Sequence, residues 1–110
     1  MAVRPLDFYR GALPNALTTL FTYSSKKGAD VLGFVEVVNG SDQEATVNVY
    51  LVPNGSAAGD GFAKLNGVKV APHSSTHIAG WWPFSATGDV LQASSVGTRL
   101  AIDASGIRRT

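Results

Sequence analysis

The stretch from Val31 to Val52 constrains the fold more than any other part of the chain. Residues 45–52 alternate apolar and polar side chains with a period of two, which is the pattern of a strand with one buried face. Residues 31–38 are apolar on both phases and rich in β-branched side chains, which suit a covered strand better than a helix. The link between them begins with Asn39-Gly40, a dipeptide typical of turns. We therefore predict an antiparallel hairpin that the rest of the chain must cover.

Short segments separated by turn signals continue along the chain, and none shows the 3.6-residue period of an amphipathic helix. The further predicted strands cover residues 16–23, 65–70, 76–78, 90–94 and 98–107. We predict an all-β fold, a two-sheet antiparallel β-sandwich of jelly-roll type at residues 16–110, preceded by an extended N-terminal arm at residues 1–15. The predicted core residues of the hairpin are Val35, Val37, Val47, Val49 and Leu51.

The composition narrows the classes of function. Of the 110 residues, 45% are hydrophobic and only 15% are charged, against about 25% charged in a typical domain. Few charges and 12 glycines fit an all-β protein with many turns, and they also fit a chain that hides much of its surface in an assembly. The net charge of +1 argues against nucleic-acid binding, and the absence of cysteine excludes disulfides and thiolate metal sites. Because no segment resembles a signal peptide or a membrane span, we expect a soluble protein made in a cytoplasm.

No motif predicts catalysis or cofactor binding. His73 and His77 would share a face of a strand, but about 13 Å separates such positions, too far for one metal ion. Glu36 is the one acid within an apolar strand, and a paired or sheet-edge carboxylate explains it better than a tuned acid. No serine lies in a Gly-x-Ser-x-Gly elbow. The sequence therefore predicts no catalytic, cofactor-binding or metal-ligating residue.

The N-terminal segment is more apolar than a free tail. Its large apolar residues are Leu6, Phe8, Tyr9 and Leu13. Pro5 and Pro14 lack backbone donors and disfavour regular strand pairing along the segment. Two interpretations are open: an arm folded over its own core, and an arm laid on a neighbouring subunit. Since the remaining predicted strands are enough to fill the core of one sandwich, we predict the second, with these four residues at a subunit interface.

The densest aromatic patch is formed by Trp81, Trp82 and Phe84. Adjacent tryptophans in a strand point to opposite faces, so no more than one of them faces the core. We interpret the patch as core plus interface, because tryptophan is common at both kinds of surface. A flat platform for stacking sugars is the alternative.

The order of the strand motifs carries a family resemblance. Residues 17–23 read Leu-Thr-Thr-Leu-Phe-Thr-Tyr, and a polar turn leads to an apolar strand that ends in Val37-Val38-Asn39. The Ala-Thr-Val strand at residues 45–52 follows, then Gly-Asp-Val-Leu-Gln-Ala at residues 88–93 and a closing strand at residues 102–107. Over residues 16–107 this order resembles a group of small virion proteins of tailed bacteriophages. The resemblance implies a β-sandwich structural protein of a phage head or tail without enzyme activity.

These observations lead to an expected function. We expect a phage virion structural protein, a head decoration or cement component located in the virion and synthesised in the host cytoplasm. The expected partners are further copies of the chain, such as a trimer, and other virion proteins such as the major capsid protein, with no nucleic acid and no membrane. The alternative is a carbohydrate-binding or adaptor module on a phage tail or fibre, with a glycan as its ligand.

Overall fold

The computed structural model describes residues 2–110, which contain eight β-strands. In chain order they are β1 (Val3–Ala12), β2 (Thr18–Thr22), β3 (Ala29–Asn39), β4 (Ala45–Val52), β5 (Ala63–Val70), β6 (Ser74–Pro83), β7 (Val90–Val96) and β8 (Leu100–Arg109). Two one-turn 3-10 helices, Ser25–Lys27 and Asp60–Phe62, lie in the connections. No helix of residues 2–110 is long and apolar enough to cross a membrane.

The strands form two four-stranded sheets with antiparallel pairing throughout. Sheet A has the order β1-β8-β3-β6, and sheet B has the order β2-β7-β4-β5. This is the strand order of an eight-stranded jelly roll, in which two Greek keys close into a double sheet. The predicted all-β, two-sheet antiparallel sandwich is confirmed.

The core lies between the two sheets and includes most of the predicted positions. Val35, Val37, Val47 and Val49 are fully buried in one cluster, as the alternation predicts. Leu51 is half-buried and packs against the edge of that cluster. Alternation therefore identifies the inward face of both strands, although at the end of β4 it is Val52 rather than Leu51 that is fully buried.

The predicted hairpin between β3 and β4 is wrong, because the two strands belong to different sheets. β3 lies between β8 and β6, whereas β4 lies between β7 and β5. Residues 40–44 carry the chain across the sandwich rather than around a turn within one sheet. Two strands that face each other across a core show the same period-two alternation as two strands that pair, so the pattern cannot distinguish them.

The predicted N-terminal arm is strand β1, which pairs with β8 from Val3 to Ala12. Pro5 is tolerated because β1 is an edge strand, where a missing backbone donor breaks no ladder on the open side. Phe8 and Leu13 are each 6% exposed and belong to the chain's own core. β1 supplies the outer neighbour of β8 in sheet A, so this segment is one of the eight strands of the sandwich. The arm interpretation that placed the segment over its own core is the one that the structure supports.

Register shifts run across sheet A in one line. β1 has a shift between Asp7 and Tyr9, and β3 has one between Leu32 and Phe34 in its pairing with both neighbours. Gly106 of β8 lies on this line, where a Cβ atom would overlap the carbonyl oxygen of Val31. The line of bulges thus requires glycine at position 106, and it bends sheet A next to the aromatic end of β6.

Candidate functional site

A row of titratable side chains crosses the outer face of sheet A. Arg10, Asp103, Glu36 and His77 are successive Cα partners on β1, β8, β3 and β6. The Arg10 guanidinium donates to the Oδ2 atom of Asp103 from two nitrogens, over 3.0 and 3.2 Å. This ion pair is exposed, with 70% of the Arg10 side chain and 33% of the Asp103 side chain accessible. The pair therefore organises a solvated surface and contributes little to stability.

The middle of the row is a shallow depression. It has a volume of about 200 Å³ and is bordered by Arg10, Glu36, Val38 and Asp103. Beside it the ring of His77 stacks on Phe34, with 5.6 Å between ring centroids and 25° between planes. Glu36 is half-buried in this row, beside Asp103 on one strand and His77 on the other. Among residues 2–110, no three His, Asp, Glu or Cys side chains lie close enough to hold a metal ion.

The second feature of this face is the tryptophan pair of β6. Trp81 lies in the bulge, has no Cα partner on β3 and is 61% exposed. The guanidinium carbon of Arg109 lies 5.8 Å from the Trp81 ring centroid, within reach of a cation–π contact. Trp82 is half-buried against the core, and Lys64 Nζ lies 5.5 Å from its ring. The two rings thus have opposite roles, one packing inward and one presented to solvent, as adjacent strand positions predict.

Most of the predicted interface residues are part of the core instead. The buried ones are Phe8, Leu13 and Phe84, and the half-buried ones packed against the core are Leu6, Tyr9 and Trp82. Phe8, Phe21, Tyr23 and Phe84 form an aromatic cluster with ring centroids 4.9 to 5.4 Å apart. Phe8 was predicted at an interface because its segment was interpreted as an arm on a neighbouring subunit, and Phe84 because it lies beside the two tryptophans. Of the seven predicted residues, Trp81 is the one that is largely exposed.

The charged row was missed at the sequence level. Each of its four residues occupies an outward position on its strand, and alternation could have found that phase. Their alignment depends on the register between β1, β8, β3 and β6, which are far apart in sequence. Register between distant strands has no local signal, so the row becomes visible only in the folded sheet.

Comparisons with protein-family models, with curated proteins and with solved structures find no match for this chain. The candidate site is therefore defined by its own geometry: a charged row, a shallow depression and an exposed tryptophan on one face of sheet A.

Proposed function

We propose that the protein is a structural component of a tailed-bacteriophage virion, a head decoration or cement protein that stabilises the particle through contacts with its neighbours. The order of the strand motifs supports the phage assignment. The jelly roll supports a structural role, since this architecture recurs in viral capsid and lectin domains. A fold alone does not determine function, so the role of the protein depends on what its exposed face can bind.

The observation that carries the proposal is the exposed Trp81 on the outer face of sheet A. Because 61% of this residue is accessible, a partner that covers it would remove apolar area from water. The Arg109 side chain packs over the ring, which restricts both side chains before binding and reduces the entropy lost on association. Tryptophan and arginine are the side chains most enriched at binding hot spots, so Trp81 is the anchor of the proposed contact.

The proposed partners follow from this role. Trp81 contacts another virion protein, such as the major capsid protein, and further copies of the chain complete a homo-oligomer. The proposed role requires no enzyme activity, cofactor, nucleic acid or membrane. The protein is made in the host cytoplasm and ends in the virion.

Binding to particles that lack the protein tests the proposal. Purified chain should bind such particles of the encoding phage, and Trp81→Ala should weaken binding by about thirtyfold or more, as expected for a hot-spot residue. Val96→Ala is the matched control, because Val96 is a 72% exposed apolar residue on sheet B, and it should bind like the parent protein. Equal losses in the two variants, or no binding by the parent protein, would refute the proposal.

A carbohydrate-binding or adaptor module on a tail or fibre is the alternative function, and it would use the same tryptophan. An exposed indole can stack on the apolar face of a sugar ring, but Arg109 already packs against Trp81. A glycan array probed with the parent protein separates the two functions. A glycan signal that disappears in Trp81→Ala, without loss of particle binding, would favour the carbohydrate-binding module.

A further inference from the structure

Three of the four sheet edges carry features that discourage pairing with another chain. β1 contains Pro5 and the charged residues Arg4 and Arg10, and its register shifts after Asp7. β2 is only five residues long and is also interrupted by a shift. β5 has two shifts and carries lysines. Proline, charge, bulges and short length are the devices by which proteins protect open edges.

The fourth edge, β6, lacks this protection over most of its length. It has ten residues, Ser-Ser-Thr-His-Ile-Ala-Gly-Trp-Trp-Pro, with no aspartate, glutamate, lysine or arginine. Its ladder with β3 is regular over residues 74–79, and its bulge and proline come only afterwards. Ser75, His77 and Ala79 present exposed side chains along this regular stretch. We name residues 74–79 the β6 edge.

The β6 edge also has free backbone groups. Every second residue of an edge strand directs its N–H and C=O groups away from its neighbour in the sheet. Within residues 2–110, residues 75–79 make no backbone hydrogen bond outside the ladder with β3. β6 has no acidic residue, lysine or arginine, and seven of its ten residues are exposed. With its unpaired backbone groups, such an edge forms a template for an added strand.

We propose that the β6 edge pairs antiparallel with the β6 edge of a second copy, which joins two A sheets into one eight-stranded sheet across a two-fold axis. The occupant follows from the edges themselves. Pairing of β6 with β1 or β5 of another copy would meet the proline, charges and bulges of those strands, whereas two β6 edges meet without like charges. A contact of one surface with itself is closed, so it gives a dimer rather than an open chain.

The proposed dimer rests on the proposed function and specifies which strands of two copies contact each other in the virion. Its symmetry is two-fold, whereas a trimer with three-fold symmetry was expected from the sequence. It also places two Trp81 side chains and two charged rows on one continuous outer surface. Two six-residue edges bury less area than a standard protein interface, so we expect the dimer to dissociate on dilution in the micromolar range.

Sedimentation equilibrium of the purified full chain tests the dimer. At high concentration the mass should approach twice the 11.5 kDa of the chain, and hydrogen exchange at residues 75–79 should slow as concentration rises. Ser75→Lys should weaken dimerisation by at least about tenfold, since a charged side chain on an open edge opposes strand pairing. A monomer at every concentration up to about 1 mM would overturn the proposal.

The matched control is Ala12→Lys. Ala12 and Ser75 are exposed and lie at opposite ends of one cross-strand row, through Ala101 and Val38. Both variants add the same charge to the same face, but only Ser75 lies on the β6 edge. Only Ser75→Lys should therefore affect the dimer. Equal weakening in both, or concentration-dependent protection of β1 instead of β6, would also overturn the proposal. These measurements use no particles, so a failed dimer and a failed virion assignment are distinguishable.

Discussion

The two ends of the sandwich are held together by different chemistry. At one end, where β3 stops and β4 starts, a neutral amide is the centre of the network. Asn39 is fully buried, and its amide nitrogen donates to the carbonyl oxygens of Gln43 and Val70 over 2.8 and 3.1 Å. Its Oδ1 atom accepts from the backbone N–H and the hydroxyl of Ser41, over 3.0 and 2.8 Å. One side chain thus fixes the crossing between the sheets to the end of β5.

The opposite end uses charged groups. Arg108 Nε and a terminal nitrogen of its guanidinium donate to the two carboxylate oxygens of Asp30, over 2.6 and 2.8 Å, inside the protein. The hydrogen bond to Asp30 raises the pKa of Arg108, although burial acts in the other direction. Asp89 is 6% exposed and accepts from the backbone N–H groups of Asn54, Ser85 and Ala86 over 2.8 to 3.0 Å.

The two networks differ in how strongly they depend on pH and on the presence of every partner. A neutral amide that makes bonds on both of its sides has no titratable group, so the Asn39 end holds the crossing loop independently of pH. Buried charges depend on every partner being present and ionised, because an unpaired charge in the interior is costly. Changes at the two ends should therefore differ both in size and in pH dependence.

The largest effect is expected for Asp30→Ala. It leaves the Arg108 guanidinium buried without its carboxylate, and loss of one partner of a buried pair costs about 3–5 kcal/mol. The matched control is Asp103→Ala, since Asp103 and Arg10 are also cross-strand partners but form an exposed pair; it should cost no more than about 1 kcal/mol. Urea denaturation followed by fluorescence measures the stability of both variants. Equal midpoints would mean that the buried pair contributes no more to stability than the exposed pair.

A smaller loss is expected at the neutral end for Asn39→Ala. The variant leaves buried carbonyl and N–H groups without partners, which should lower the free energy of unfolding by about 2–3 kcal/mol. Asn48→Ala is the control, because Asn48 bonds Ser94 and Gly67 on the outer face of sheet B, where water can replace it. The loss in Asn39→Ala should be the same at neutral and acidic pH; a loss that changes with pH would show that the two ends do not differ as proposed.

Local pattern predicted which side chains face the core, and long-range pairing could not be predicted from it. Val35 and Val47 were assigned to the interior by alternation, and both are fully buried. The pairing of β3 and β4 was inferred from closeness in sequence, and it failed because residues 40–44 cross between sheets. The place of β1 was missed because a strand containing Pro5 has no local signal for an edge position beside β8, about a hundred residues away.

In the candidate site, too, local pattern predicts the direction of a side chain but not the residue that it contacts. The outward direction of one of two adjacent tryptophans follows from period two, and the exposure of Trp81 agrees with it. That Arg109 packs over this ring depends on the register of β8 and β3 against β6, which no local segment encodes. The Asn39 network was likewise invisible, since an Asn-Gly dipeptide is usually a signal of a hairpin turn rather than of a buried crossing.

The smallest effect on stability is expected at Asp89, and it should depend on pH. Burial raises the pKa of Asp89, but hydrogen bonds from the backbone N–H groups of Ala86, Asn54 and Ser85 together lower it below its usual value. A carboxylate with a lowered pKa in the folded state stabilises the protein above its unfolded pKa of about 3.9. That stability is lost as the pH falls from about 4 through the folded-state pKa, because the unfolded chain binds the proton more readily.

Asp89→Asn removes one acceptor oxygen and the charge, and should cost about 1–2 kcal/mol at neutral pH. The difference from the parent protein should shrink below about pH 4, where the parent loses the contribution of this carboxylate. Asp42→Asn, at an exposed loop position, is the control and should change stability by less than about 0.5 kcal/mol. Denaturation midpoints measured across the acidic range decide the matter: a difference between Asp89→Asn and the parent that stays constant with pH would mean that ionised Asp89 does not hold the Asn54 and Ser85 loops together.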